Sequence, residues 1–140
     1  MTSMVKRVAV ALGLAGSAAA ADGRLFLPLA PERENLEAFR WSAQPVLVFA
    51  PDESDARYTV QIDALKSAER GLAERDIVVL TDTDPDAKGR LRAGLAVEGF
   101  DVLLVGKDGG VKLRQSTPLS VDELFSAIDA MPMRRREMAD

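Results

Sequence analysis

Three short apolar runs, each cut off by proline, glycine or acidic residues, restrict this chain to a layered α/β sheet more firmly than any other feature. The first, PVLVFA at 45–50, has no polar residue, which suits a strand covered on both faces. IVVL at 77–80 repeats the pattern, and FDVLLVG at 100–106 supplies a third run. From the Asp52–Asp55 loop to about Arg75, residues Tyr58, Ile62, Leu65, Ala68 and Leu72 step by three and four. That spacing predicts one long amphipathic helix. DPDAKGRLRAGLAVEG reads as a weaker helix, broken by Gly89 and Gly94, with Leu91 and Leu95 inward. Asp108-Gly109 predicts a tight hairpin turn, and VKLRQ alternates as a strand with one wet face should. Ser120 and Glu123 form a capping box for a last helix, which Pro132 is expected to stop.

The resulting order is strand, helix, strand, helix, strand, hairpin, strand, helix. It predicts a thioredoxin-like α/β domain over residues 36–140. Its central mixed sheet would have four strands, two parallel strands plus an antiparallel hairpin, flanked by helices. Residues 22–35, interrupted by proline, read as an extended lead-in. Leu36, Phe39 and Trp41 suggest a short helix or turn, with Trp41 as a lid on the core. The length of 140 residues fits one such domain.

The amino terminus reads as an export signal over residues 1–21. Lys6 and Arg7 precede the uncharged stretch Val8–Ala21, and Ala19 and Ala21 suit cleavage before Asp22. The stretch is too short and too rich in Ala and Gly for a stable membrane span. The expected location is therefore periplasmic or secreted. Cleavage removes two positive charges from a chain of net charge −4, leaving −6. That balance carries no nucleic-acid footprint. There is no histidine and no cysteine, which excludes an imidazole base, a thiolate nucleophile and the usual zinc sites.

The blocks FRWSAQPVLVFAPDESDARYTVQ, LAERDIVVL and GFDVLLVGKDGGVKLRQSTPLSVDELFSAIDAMPMRRREM resemble a cysteine-free family. It is the thioredoxin-like domain of unknown function shared by bacterial exported proteins and animal extracellular proteins of the sushi-repeat and equarin type. The resemblance runs from about Leu36 to Met138, and its last block is the specific part. It implies a thioredoxin-like fold outside the cytoplasm and, in the animal relatives, matrix and adhesion roles. No enzymatic activity is settled for the family. Where redox thioredoxins follow Ala-Pro with tryptophan and a CxxC pair, this chain has Asp52, Glu53, Ser54, Asp55 and Ala56. Where they place a cis-proline facing the disulfide, it has Phe100 and Asp101. Thiol redox chemistry needs sulfur and is excluded.

The acidic loop Asp52, Glu53, Asp55 is read as a helix cap that also offers charge to a cation or a basic group. Arg57, Tyr58 and Gln61 open the following helix beside the vacated redox position. Asp82, Asp84 and Asp86 imitate the start of a calcium loop, but the sixth and twelfth positions are Ala87 and Ala93, so the motif fails. MRRREM at 133–138 is a basic cluster that either pairs with acids nearby or steers an acidic ligand.

The chain is therefore read as a non-catalytic module that binds a protein or a small ligand, without cofactor or metal. Its site is framed by Asp55, Arg57, Tyr58 and Gln61, with Arg134 and Arg135 as a second surface. Two alternatives stand beside it. One is a cysteine-independent enzyme on a peroxiredoxin-like scaffold, using Ser54 or Thr59 with a carboxylate, Lys or Tyr base. The other is a calcium-tuned adhesion domain.

Overall fold

A computed structural model describes residues 25–139; the leader expected over 1–21 lies outside the described residues. The strands are β1 (Phe26–Pro28), β2 (Gln44–Phe49), β3 (Ile77–Asp82), β4 (Asp101–Val105) and β5 (Val111–Gln115). The helices are α1 (Ala56–Lys66), α2 (Glu69–Glu74), α3 (Arg90–Gly94), α4 (Val121–Asp129) and α5 (Pro132–Ala139). Short 3₁₀ turns occupy Glu37–Phe39 and Pro85–Ala87. Among the described residues no helix is long and apolar enough to cross a membrane.

The sheet has five strands in the order β1-β3-β2-β4-β5, not the four expected. β1, β3 and β2 run parallel, while β4 is antiparallel to β2 and β5 to β4. The added strand lies in the lead-in. Its three residues are too few for a period-two signal, and Pro28 argues against a strand unless it lies on an edge, which it does. Backbone bonds from Val79 N to Leu25 O and from Leu29 N to Thr81 O, both 2.7 Å, tie it to β3.

Alternation along the strands divides the core into two layers. Val46, Val48, Val79, Val102 and Leu104 face Ile62, Leu65, Leu72, Leu124 and Ile128 from α1, α2 and α4. Leu47, Phe49, Val78, Leu80, Leu103 and Val105 face Leu29, Phe39 and Ala43, with Leu91 and Leu95 of α3 half-buried above them. Because both faces are covered, an unbroken apolar run is what β2 requires.

Three further expectations are corrected. The long helix divides at Ser67, whose hydroxyl donates back to Ala64 O at 2.7 Å in competition with the helical pattern. Pro132 does not merely stop a helix. It opens α5 at the first position, where its missing N–H is not needed. Trp41 is not a lid: it is 59% exposed with φ at 67°, and its neighbour Phe39 is the buried ring. Trp41 N donates to Lys107 O at 2.7 Å, and that tertiary bond accompanies the unusual backbone.

Candidate functional site

The junction from β2 to α1 sits at the carboxyl ends of β2 and β3. Ala50 N donates to Asp82 O at 3.0 Å, which carries the sheet pairing one residue beyond the strand. Pro51 then turns the chain outward. Asp52 Oδ1 accepts both Ser54 N at 2.8 Å and Ser54 Oγ at 2.7 Å. This hydroxyl–carboxylate contact is part of a local, solvent-exposed turn, and among the described residues no side chain other than Ser54 holds the carboxylate. It has the form of a turn rather than of an activated nucleophile.

Asp55 caps α1, accepting Arg57 N at 2.9 Å. Its carboxylate also takes the Arg57 guanidinium in a two-pronged pair, Nε at 3.0 Å and Nη2 at 2.8 Å. The Arg57 side-chain bond is the main reason the Asp55 carboxyl is lowered from 3.8 to about 2, against an opposing cost of desolvation. The same pairing raises Arg57. A carboxylate depressed in the folded state adds stability above its unfolded pKa and loses it as pH falls through the folded value. Asp55 thus favours the fold above pH 4 and ceases to as pH approaches 2. In an Arg57→Ala variant, NMR titration should find Asp55 within about one unit of its ordinary value; a carboxyl that stays near its depressed value would show that the helix terminus, not Arg57, holds it there.

The Arg57 guanidinium lies over the ring of Phe100, 5.6 Å from its centroid. Phe100 itself is buried. The start of α1 thus carries a closed ion pair above an aromatic floor.

Tyr58 and Gln61 do not join Asp55 and Arg57 at the surface. Tyr58 is half-buried against the α1 side of the core. Gln61, expected to face the pocket, is 1% exposed. Its Nε2 donates to Leu119 O at 2.9 Å and its Oε1 accepts Leu119 N at 2.7 Å. It therefore braces α1 against the segment before α4. Beside this brace lies a shallow groove of about 440 Å³, lined by Val60, Ala64, Pro118, Leu119 and Val121, with Asp122 at one edge. Val60 is 57% exposed.

Arg134 and Arg135 stand at the other end of the sheet. Arg134 pairs with Asp129 at 3.4 Å and Glu137 at 3.5 Å and donates to Glu74 O at 3.2 Å. Arg135 is exposed on α5. The six residues of β2 separate the two regions by roughly 20 Å, so the six candidates form no single site.

Arg92 escaped the sequence reading. It is 8% exposed and lies directly beneath the junction. Its Nη2 donates to Ala50 O and Asp82 O, both at 2.9 Å, and its Nε to Asp82 Oδ2 at 3.2 Å. Gly89 makes room for this, since a Cβ there would sit 3.2 Å from the same Asp82 oxygen. With Asp82 committed to Arg92, the three alternating aspartates do not converge. Among the described residues no group of three or more His, Cys, Asp or Glu is placed to hold a metal.

The family model described as Domain of unknown function (DUF4174) matches residues 35–137. Coiled-coil domain-containing protein 80 of Danio rerio is 31% identical over 74% of this chain and 16% of its own length. Sushi repeat-containing protein SRPX2 of Rattus norvegicus is 28% identical over 74% of this chain and 26% of its own. The chain thus spans only 16% and 26% of the length of these relatives. Among solved structures, the reduced 2-Cys peroxiredoxin of Plasmodium vivax superposes with a TM-score of 0.56 at 20% identity, covering 74% of this chain and 84% of that one. Chloroplastic thioredoxin z superposes with a TM-score of 0.52 at 17% identity, covering 90% and 95%. At these identities the likeness concerns the fold alone.

Proposed function

Since the chain belongs to the family described as Domain of unknown function (DUF4174), with a thioredoxin-like fold and no cysteine, we propose that it is an exported, non-catalytic module that recognises a basic segment of a protein partner. The observation that carries this reading is the state of the junction. Asp55 and Arg57 close upon each other at the start of α1, and neither is left as a nucleophile or base. The adjoining groove offers apolar contact through Val60, Pro118 and Val121 on a floor held rigid by Gln61. Rigid floors lose little entropy when a partner binds.

Charge gives the partner its sign. Glu53, Asp84, Asp86 and Asp122 are exposed around this end of the sheet, while Arg57 and Arg92 are tied to Asp55 and Asp82. Asp122, an uncommitted carboxylate on the apolar groove, favours a segment with lysine or arginine beside an aliphatic residue. Export rests on the basic and apolar leader at 1–21.

Affinity capture from an extracytoplasmic extract tests the reading, with a Glu53→Lys/Val60→Arg variant run beside the parent. The variant should melt like the parent and retain the partner at least tenfold less, equivalent to about 1.4 kcal/mol. An Arg135→Ala variant should retain it fully. Equal capture by the groove variant, or no partner for the parent, would overturn the proposal.

A further inference from the structure

At the opposite end of the sheet, a cleft of about 280 Å³ opens between the start of β2, the β4–β5 turn and α5. Gln44, Lys107, Lys112, Met131, Arg134 and Arg136 are among its lining residues. Gln44 is 3% exposed. Its Nε2 donates to Arg75 O at 3.1 Å, while its Oε1 has no donor among the described residues. A buried amide oxygen left without a donor costs free energy unless something supplies one.

Most of the charges at this cleft are paired. Four cations line the cleft, Lys107, Lys112, Arg134 and Arg136, against the carboxylates of Asp108 and Glu137. Both acids are already engaged: Asp108 accepts Lys112 at 2.9 Å, and Glu137 accepts Lys107 at 2.8 Å. Lys107 is further held by Asp76 at 2.8 Å, and these contacts raise it despite its desolvation. Arg136 is exposed and has no ion pair among the described residues. Arg134 is held by Asp129 as well as Glu137, so Arg136 is the one cation of the cleft without an ion pair among the described residues. Met131 and Pro132 also line the cleft and supply its apolar surface.

We propose that this cleft binds a ligand carrying an N–H donor, a small aliphatic body and a carboxylate. The N–H satisfies Gln44 Oε1, the aliphatic part packs on Met131 and Pro132, and the carboxylate meets Arg136. An N-acyl amino acid and the carboxyl-terminal residue of a peptide share this chemistry. The site is independent of the groove at the junction.

NMR titration of the chain with N-acetyl-leucine, and with an octapeptide ending in leucine as free acid or as amide, provides the test. Shifts are expected at Gln44, Lys107 and Met131 with both free acids, and the amide should bind at least tenfold more weakly than its acid. Tighter binding of the peptide would identify a protein terminus as the source, and tighter binding of N-acetyl-leucine a free metabolite. Arg136→Glu, an exposed change that should leave folding intact, should weaken either acid at least tenfold. Gln44→Met should do the same, while Val60→Arg should change nothing. Equal binding of acid and amide, unchanged affinity in Arg136→Glu, or no shifts with either acid would overturn the proposal.

Discussion

Replacing Arg92 with methionine is expected to lower the melting temperature by about 10–20 °C, the equivalent of roughly 3–5 kcal/mol for a broken buried ion pair in a domain of this size. Three acceptors each lose a donor at once: the Asp82 carboxylate, which keeps only Asp84 N; Asp82 O, which keeps Ala50 N; and Ala50 O. The remaining charge is the larger problem, because Asp82 stays largely buried with no cation beside it. Arg92→Lys should recover little, since one ammonium cannot reproduce a planar fork that reaches a carboxylate and two carbonyls. Adding Asp82→Asn to Arg92→Met should restore part of the loss by removing the stranded charge. Thermal melts of the three variants check this. A methionine variant that melts with the parent would show that the guanidinium is not what holds the β2 and β3 ends together.

Gln61→Leu should cost roughly 2–4 kcal/mol, or about 8–15 °C, although leucine is the more hydrophobic residue. The side chain binds both backbone groups of Leu119, and leucine leaves both without a partner in a buried place. Gln61→Glu distinguishes hydrogen bonding from packing. Its carboxylate accepts from Leu119 N but opposes Leu119 O, and burial raises the pKa of such a group. An acid whose folded pKa is raised adds no penalty below its unfolded value, about 4.3, and a growing one as pH rises above it. The glutamate variant should therefore lie closer to the parent at pH 4 than at pH 7. The same deficit at both pH values would assign the cost to shape. Loss of this brace should also loosen the groove beside Val60, which connects stability to recognition.

The two predictions concern side chains that the sequence treats very differently. Gln61 lies three residues after Tyr58 and four before Leu65, on the face that repeats every three to four positions. Its burial was therefore legible, although its polarity suggested a pocket instead of a brace. Its partner lies 58 residues away, and no local pattern encodes such a pairing. Arg92 looks like one more surface charge in a weak helix, because Ala50 and Asp82 meet it only after the sheet forms. β2, β3 and β4 were legible since strands covered on both faces must be continuously apolar. β1 was not, since three residues carry no period and its strand character comes wholly from β3. The Asp55 cap was readable from residue type and position, whereas its fork with Arg57 depends on a rotamer.

The strand order also sets a schedule. β2 hydrogen-bonds to β3 on one side and β4 on the other, and β4 is not complete until Val105. A chain emerging from the ribosome amino end first therefore carries its most apolar strand with one edge open through most of synthesis. Loop closure over such a distance comes late. The delay leaves an unpaired apolar edge until the hairpin arrives.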